Sequence, residues 1–366
     1  MPLHALIDRA ALRANLQALR SAAPKSKLMA VVKANAYGHG IKPALEALAE
    51  ADGFAVARLE EAIVIDDQSL TDQRLLLLEG VTSREATQEA LQRGFDLVVH
   101  NVEQLQWLAG SLCQSDLWVK FDTGMNRLGF AEADFERVVT DFRRLRADWP
   151  VSGRCPQLRL MSHFACADEP TREENATQER RFSKLKAQWE TEFGSVESSF
   201  CNSAALLSRP ASHGDWVRPG ISLYGVSPFE GVSAKELGLQ PVMTLESEVI
   251  ALRSLQVGES VGYGATWRAS RPSKIAILAA GYADGLPRHL PSGAPVLVAG
   301  ERASIAGRVS MDMLAVDVTD IPQVQVGSRA VLWGQGLPVE EVAAAAGTIA
   351  YELLCALNQR VPIKII

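Results

Sequence analysis

The 366-residue sequence predicts an α/β chain in two parts: an N-terminal (β/α)8, TIM-like barrel over residues 1–235 and a C-terminal, mainly β-strand domain over residues 236–366. Three observations predict it. The length exceeds one small core and suits a barrel of about 200–250 residues with a second domain beside it. Short β-like runs alternate with amphipathic stretches through the first two-thirds of the chain. Beyond about residue 235 the texture changes to alternating, β-branched runs punctuated by Gly and Pro.

The predicted barrel strands are "KLMAVVK" (27–33), "GFAVA" (53–57), "RLLLLEG" (74–80), "DLVVH" (96–100), "LWVKFD" (117–122), "LRLMSHF" (158–164), "SSFCN" (198–202) and a stretch near "ISLYG" (221–225). Helical patterns such as "IKPALEALAEA", "SREATQEALQRG" and "VEQLQWLAG" lie between them. Pro43 falls near a helix start, where proline is tolerated, and Gly94 suits a helix end. A doubly wound open sheet is the alternative, but no G-x-G-x-x-G follows the first strand. The second part carries "LESEVIALRSL", "SKIAILAAGYA", "APVLVAG", "LAVDVT" and "RAVLWG", then a helix over roughly 338–357 with Gly347 as its weak point. The break between the parts falls near "AKELGLQPVMT" (234–244).

Composition removes several function classes. A net charge of −6 and no basic stripe argue against nucleic acid as a partner. No apolar run reaches the length of a membrane span. The start, "MPLHALIDRA", lacks the pattern of a secretory signal. The five cysteines, Cys113, Cys155, Cys166, Cys201 and Cys355, are odd in number and show no C-x-x-C or Cys/His metal spacing. Reduced thiols in a cytoplasmic enzyme, with no metal, are the expectation.

A barrel builds its active site from the loops after each strand. The predicted strand ends carry Lys33, Glu79, His100, Lys120 with Asp122, His163, and Asn202 with Ser203. Arg218 lies at the approach to the eighth strand. Singly, each also reads as a solvated rim residue, and Lys33 as a snorkelling lysine. Together they describe a ligand. A primary amine at Lys33 can condense with an aldehyde. His163 can stack on a flat heteroaromatic ring, and Arg218 can meet its nitrogen. "NSAA" and "RPGI" offer small hydroxyls and backbone N–H groups to a phosphate. The matching cofactor is pyridoxal 5′-phosphate.

The stretches "VVKANAYGHG", "KFDTGMNRLGF", "MSHFACADE", "CNSAA", "DWVRPGISLYG", "VGYGAT", "AAGYADG" and "GRVSMDM" occur in that order from about residue 27 onward. In this combination the sequence resembles the bacterial alanine racemases, fold-type III enzymes dependent on pyridoxal 5′-phosphate. The resemblance implies a cytoplasmic homodimer that interconverts L-alanine and D-alanine, its sites completed by the partner chain. Lys33 would bond the cofactor and serve as one base. Tyr263 would be the opposing base, with His163 and Arg218 favouring its phenolate. Tyr37, Asn202, Ser203, Gly220, Ile221 and Tyr351 would join Lys33, His163 and Arg218 in holding the cofactor. Arg127 would meet the substrate carboxylate, and Met311, Asp312 and Tyr282 would shape the pocket and its entrance. Lys120 would be carbamylated and would orient Arg127. Without the resemblance, Tyr263 reads as a packed strand aromatic.

Four rival readings remain open on sequence. A pyridoxal-phosphate homeostasis protein would lack the second domain with Tyr263. A related barrel decarboxylase should lack "MNRLGF" and "VGYGAT". A Schiff-base aldolase would not need the tyrosine. A racemase of another small amino acid, such as serine, is separated least well, because pocket volume decides it.

Overall fold

The computed structural model describes residues 2–109, 115–147, 149 and 156–366. Cys113, Cys155 and Gly110, which closes one predicted helix, lie outside the described residues. Cys166, Cys201 and Cys355 are free thiols.

Strand β1 (His4–Ile7) opens the chain. The next eight strands are β2 (Lys27–Val31), β3 (Gly53–Val56), β4 (Leu75–Leu77), β5 (Asp96–Val99), β6 (Leu117–Lys120), β7 (Leu158–Met161), β8 (Ser198–Ser199) and β9 (Trp216–Val217). They form one parallel sheet, and β9 pairs back onto β2 with Trp216 opposite Lys27. Asp215 N–H donates to the Ser198 carbonyl at 3.0 Å and Arg218 N–H to the Cys201 carbonyl at 2.9 Å, closing the barrel between β8 and β9. Met29, Ala30, Phe54, Leu76, Val98, Trp118 and Leu160 are all buried. Strands covered on both faces read as continuous apolar runs rather than alternating ones, which is why β2 to β7 fall inside the predicted runs; β8, two serines, falls inside its run beside Phe200, making seven of the eight.

The eighth does not. It is Trp216–Val217, not the predicted 221–225. Pro219 has no N–H to extend the ladder, and Ile221–Tyr224 forms a single 3-10 turn instead. The Tyr224 phenol donates to the Val31 carbonyl at 3.0 Å, fastening that turn to β2. Arg218 therefore leaves the end of the last strand rather than approaching it.

The second sheet is mostly antiparallel and built around β10 (Met243–Leu255), which pairs with Ser273–Leu278 and Arg329–Trp333. Strand β1 joins this sheet beside β10, and Ile363–Ile365 pairs in parallel with β1, so both ends of the chain lie in it. Helix Arg9–Ala22, capped by the Asp8 carboxylate, leads from β1 to the barrel and buries Leu12, Leu16 and Leu19. The predicted late helix breaks at Gly347, φ 69°, into Val339–Ala346 and Ala350–Cys355. No described helix is long and apolar enough to cross a membrane.

Gly38 docks the two parts on one another. Its φ is +80°, and a Cβ there would lie 2.1 Å from the Leu354 carbonyl oxygen. We expect Gly38→Ala to lose roughly 3 kcal/mol or more, left-handed strain plus a displaced helix. Gly94 also has positive φ but open space around it, so Gly94→Ala should cost only about 1–2 kcal/mol. Denaturant midpoints of the two variants check the difference, and equal shifts would refute the docking role.

Candidate active site

Lys33 lies two residues beyond the end of β2, and the chain then makes a left-handed turn. Ala34, Asn35, Ala36 and Tyr37 all have φ between 52° and 54°. Three side chains hold this conformation. Glu61 Oε1 accepts from the Ala34 N–H at 2.6 Å. The Asn35 side-chain oxygen accepts from the Ile41 N–H at 2.8 Å. His39 Nδ1 faces the carbonyls of Ala36 at 3.0 Å and Tyr37 at 2.9 Å, so it carries the proton and donates to both. Burial pulls the His39 pKa down to about 4 and keeps the ring neutral. The turn folds Tyr37 back against Tyr224 and Tyr351, with ring centroids 4.8 and 6.1 Å away.

A cavity of about 410 Å³ opens at this mouth of the barrel. Lys33, Tyr37, Lys120, Arg127, His163, Asn202, Ser203, Arg218, Gly220, Ile221 and Tyr351 all line it. The sequence reading had singled out each of them. Val31, Ala57, Leu78, Leu128 and Met161 complete the apolar lining, and Glu79 is the one acid against five basic side chains, His163 included. A cavity so charged favours anionic ligands.

Arg218 is buried and fixed from three sides. It donates to Ser199 Oγ, to the Ser162 carbonyl at 2.8 Å and to His163 Nδ1 at 3.1 Å. Burial lowers its pKa to about 10, still leaving it charged at neutral pH. His163 accepts that bond through Nδ1, and its remaining proton sits on Nε2. Burial, then the Arg218 charge, drives the His163 pKa well below the ordinary value. The permanent cation here is thus Arg218, and His163 is a neutral relay between it and whatever faces Nε2. Burial also lowers Lys120 to about 8, helped by Arg218 and Arg127. Among the described residues neither Lys120 nor Arg127 has an ion-pair partner. The Asp122 carboxylate shapes the loop that carries Arg127, accepting from the N–H groups of Gly124 at 2.7 Å and Arg127 at 3.0 Å. His100 turns away instead, its Nε2 3.0 Å from the Glu79 carbonyl.

Across the cavity Ser203 Oγ accepts from the Gly220 N–H at 2.9 Å, and Asn202 caps the following helix through the Ala205 N–H at 3.0 Å. A Cβ on Gly220 would lie 2.5 Å from the Tyr37 hydroxyl, so only glycine leaves this cradle open. Burial, and Tyr351 beside it, raises the Tyr37 pKa far above 10, and burial raises Tyr351 to about 12. Both phenols keep their protons and can donate.

Tyr263, Tyr282, Met311 and Asp312 do not line this cavity. Tyr263 is 69% exposed, Met311 52% and Tyr282 37%. The segments of Tyr282 and Met311 pack on one another: Tyr282 N–H donates to the Ser310 carbonyl and Ala283 N–H to the Met311 carbonyl, both at 3.0 Å. Arg360 bridges Asp284 and Asp312 at 2.6 Å each and fixes those loops. Sequence reasoning missed Arg360, Ser162, Ser199 and Glu61. The serines lie inside the sixth and seventh predicted strands, 158–164 and 198–202, rather than at their ends, so a strand-end search passes over them. Glu61 lies inside a helix, with no local signal.

The comparisons with known proteins agree with one another. Residues 7–228 match the family model "Alanine racemase, N-terminal domain" and residues 242–365 match "Alanine racemase, C-terminal domain". An alanine racemase of Stutzerimonas stutzeri is 48% identical over 364 residues, covering 99% of this chain and 98% of that protein. The biosynthetic alanine racemase of Pseudomonas aeruginosa is 48% identical over 366 residues, covering 99% and 98%. The crystal structure of a biosynthetic alanine racemase from P. aeruginosa superposes with a TM-score of 0.92 at 46% identity, covering 100% of this chain and 99% of that one. An alanine racemase from Bartonella henselae, solved with covalently bound pyridoxal phosphate, superposes with a TM-score of 0.89 at 29% identity, covering 100% of both chains. None of the rival readings is favoured by these relatives. Two family models in chain order, near-complete coverage at this identity and a shared fold leave one conclusion: the chain belongs to the alanine racemase family of isomerases.

Proposed function

We propose that the chain interconverts L-alanine and D-alanine by two-base racemisation, in sites that two copies share. The observation that carries this reading is the convergence of Lys33, Arg218 and the Ser203–Gly220 cradle on one cation-rich cavity. These residues fit pyridoxal 5′-phosphate. Ser203, Tyr37, Tyr351 and the backbone of Gly220 and Ile221 would hold its phosphate, Asn202 keeps that loop capped, and Arg218 with His163 would meet its ring. When bound, the cofactor supplies an aldehyde for the substrate amine and an electron sink that acidifies the substrate Cα–H.

The chain's own groups then move the proton. The Lys33 amine would serve one face of the substrate Cα. A single base tends to return a proton to the face it left, so inversion requires a second base opposite. Tyr263 of the partner subunit would fill that role. A phenol has an ordinary pKa of about 10 and is a poor base at neutral pH. His163 counters this, because its only free proton, on Nε2, can donate to a phenolate while Arg218 supplies charge behind it. A guanidinium cannot accept a proton, so Arg218 would hold a ring nitrogen facing it unprotonated and limit side reactions such as transamination. Arg127 would bind the substrate carboxylate. Tyr282, Met311 and Asp312 of the partner subunit would narrow the pocket to a methyl side chain. In this division residues 1–235 carry the cofactor, with Tyr351 added from the second part, and residues 236–366 complete the neighbouring site. A cytoplasmic setting is compatible with the free thiols. The product would feed the cell wall, or the reverse reaction would catabolise alanine.

The shared site is tested by mixing. Lys33→Ala and Tyr263→Ala should each abolish conversion of L-alanine to D-alanine. In mixed dimers one site of two keeps both bases, so up to about a quarter of the activity should return after random exchange in a two-fold dimer. No recovery after demonstrated subunit exchange would refute shared sites.

Lys120 supplies a second test. Its pKa of about 8 leaves roughly a tenth of the amine free at pH 7, far more than for an ordinary lysine. Free amine adds CO2 and releases a proton, giving a carbamate whose negative charge would pair with Arg127. At fixed CO2 pressure the modified fraction should rise steeply up to about pH 8, where two protons are lost per carbamate formed, and less steeply above it, where one is lost, until the site is saturated. Mass spectrometry under native conditions should find an acid-labile CO2 adduct at Lys120. A Lys120 that stays unmodified across that range would exclude it.

A further inference from the structure

We infer that Glu61 is a positioning residue for Lys33: its carboxylate holds the left-handed turn that aims the lysine amine, an inference that rests on the role proposed above for Lys33. Glu61 occupies the third position of helix Leu59–Asp67. One oxygen, Oε2, accepts from the N–H groups of Ala57 at 2.8 Å and Arg58 at 3.1 Å, closing the end of β3. The other, Oε1, crosses to the neighbouring loop and takes the Ala34 N–H at 2.6 Å. One carboxylate therefore bolts together the loops that follow β2 and β3.

The bolt sits beside the reacting residue. Ala34 is the next residue after Lys33, and its φ is 53°. A left-handed alanine costs roughly 1–2 kcal/mol, so this geometry needs an outside partner. Among the described residues no hydrogen bond fixes the Lys33 amine itself, so backbone direction and packing set its aim. His39 and Asn35 secure the far end of the turn. Glu61 is the only described side chain hydrogen-bonded to the backbone of residues 32–34. Both of its oxygens accept from N–H groups, so an amide in its place would set NH2 against N–H in either orientation. Glutamine, though equal in size, cannot substitute. Aspartate keeps the charge but falls one methylene short.

The test compares Glu61→Gln, Glu61→Asp and Ser83→Ala. Ser83 caps helix Arg84–Gln92 through the Ala86 N–H, away from the cavity, and its loss should cost about 1 kcal/mol of stability without touching Lys33. Each purified protein is loaded with pyridoxal phosphate and reduced with borohydride, and the pyridoxyl group on the Lys33 peptide is quantified by mass. Thermal midpoints of the cofactor-free proteins and kcat and KM for alanine are read alongside. We expect Glu61→Gln to capture the cofactor at Lys33 more slowly and to lose kcat on the order of 10²-fold, the scale of an ångström-level misplacement. KM for alanine should change little. Glu61→Asp should recover part of both losses, and Ser83→Ala should match the parent in capture and kcat. Unlabelled Lys33 in the parent would overturn the proposed role of Lys33 and this inference with it. A labelled parent with Glu61→Gln labelled equally fast and equally active would overturn the Glu61 role alone. So would losses in Ser83→Ala matching those of Glu61→Gln at the same thermal midpoint.

Discussion

Four consecutive left-handed residues stand between Lys33 and Gly38, and the site depends on them. Three are alanine or tyrosine, which do not enter this region without roughly 1–2 kcal/mol of strain each. The turn persists because its neighbours over-determine it, through Glu61 at its start, His39 and Asn35 at its end and Gly38 closing against the Leu354 carbonyl. A right-handed turn here would send Tyr37 away from Tyr224 and Tyr351 and open the floor of the cradle at Gly220. The same turn also brings helix Ala350–Cys355 to the barrel mouth, because Gly38 is the surface on which that helix rests. Strain at one loop thus sets the lysine, the tyrosine beside it and the seat of the second part of the chain.

Electrostatics follow from that geometry. Five basic groups, Lys33, Lys120, Arg127, His163 and Arg218, line one cavity with a single acid among them. Two like charges 4 Å apart repel by about 4 kcal/mol at an effective dielectric of 20, so such a cluster must shed or offset charge. It sheds charge where it can: His163 is held neutral and Lys120 falls to about 8. Arg218 cannot follow, since even at about 10 it remains protonated. It is stabilised by the Ser162 carbonyl and the Ser199 hydroxyl rather than by a carboxylate. The remaining imbalance suits ligands that bring their own negative charge, as a phosphate and an amino-acid carboxylate both do.

Much of this was legible in the sequence, and for identifiable reasons. Parallel barrel strands are buried on both faces, so "KLMAV", "GFAV" and "LWVK" announce themselves as unbroken apolar runs. The last strand does not, because Trp216 and Val217 are set between Asp215 and the Arg218-Pro219-Gly220 turn, and the longer apolar "ISLYG" beside them is the better decoy. Cavity residues at strand ends were readable from barrel geometry alone. The left-handed turn was not, because nothing in Ala34, Ala36 or Tyr37 prefers it; only Gly38 and Gly40 hinted at a bend. Supporting residues were hidden for a related cause. Ser162, Ser199 and Glu61 act on residues distant in sequence, and periodicity carries no record of that. Tyr263 became visible only through likeness to a family, since by itself it reads as a strand aromatic.

The second part of the chain keeps its large side chains where a folded monomer gains nothing from them. Tyr263, Tyr282, Met311 and Met313 are exposed, and the loops of the last three are stiffened by Arg360 through Asp284 and Asp312. Rigid, exposed aromatics and methionines lose little entropy on docking and bury much apolar area, which suits them to an interface. In the proposed dimer this surface covers a neighbouring cavity, and two effects coincide there. Covering the apolar residues drives association. Moving Tyr263 out of water would by itself raise the cost of a phenolate, unless a donor and a cation wait at its destination. His163 with its free Nε2 proton and Arg218 behind it are such a pair. Association and base strength are then coupled: a copy that bound loosely, leaving water between Tyr263 and His163, would give up affinity and the second base together.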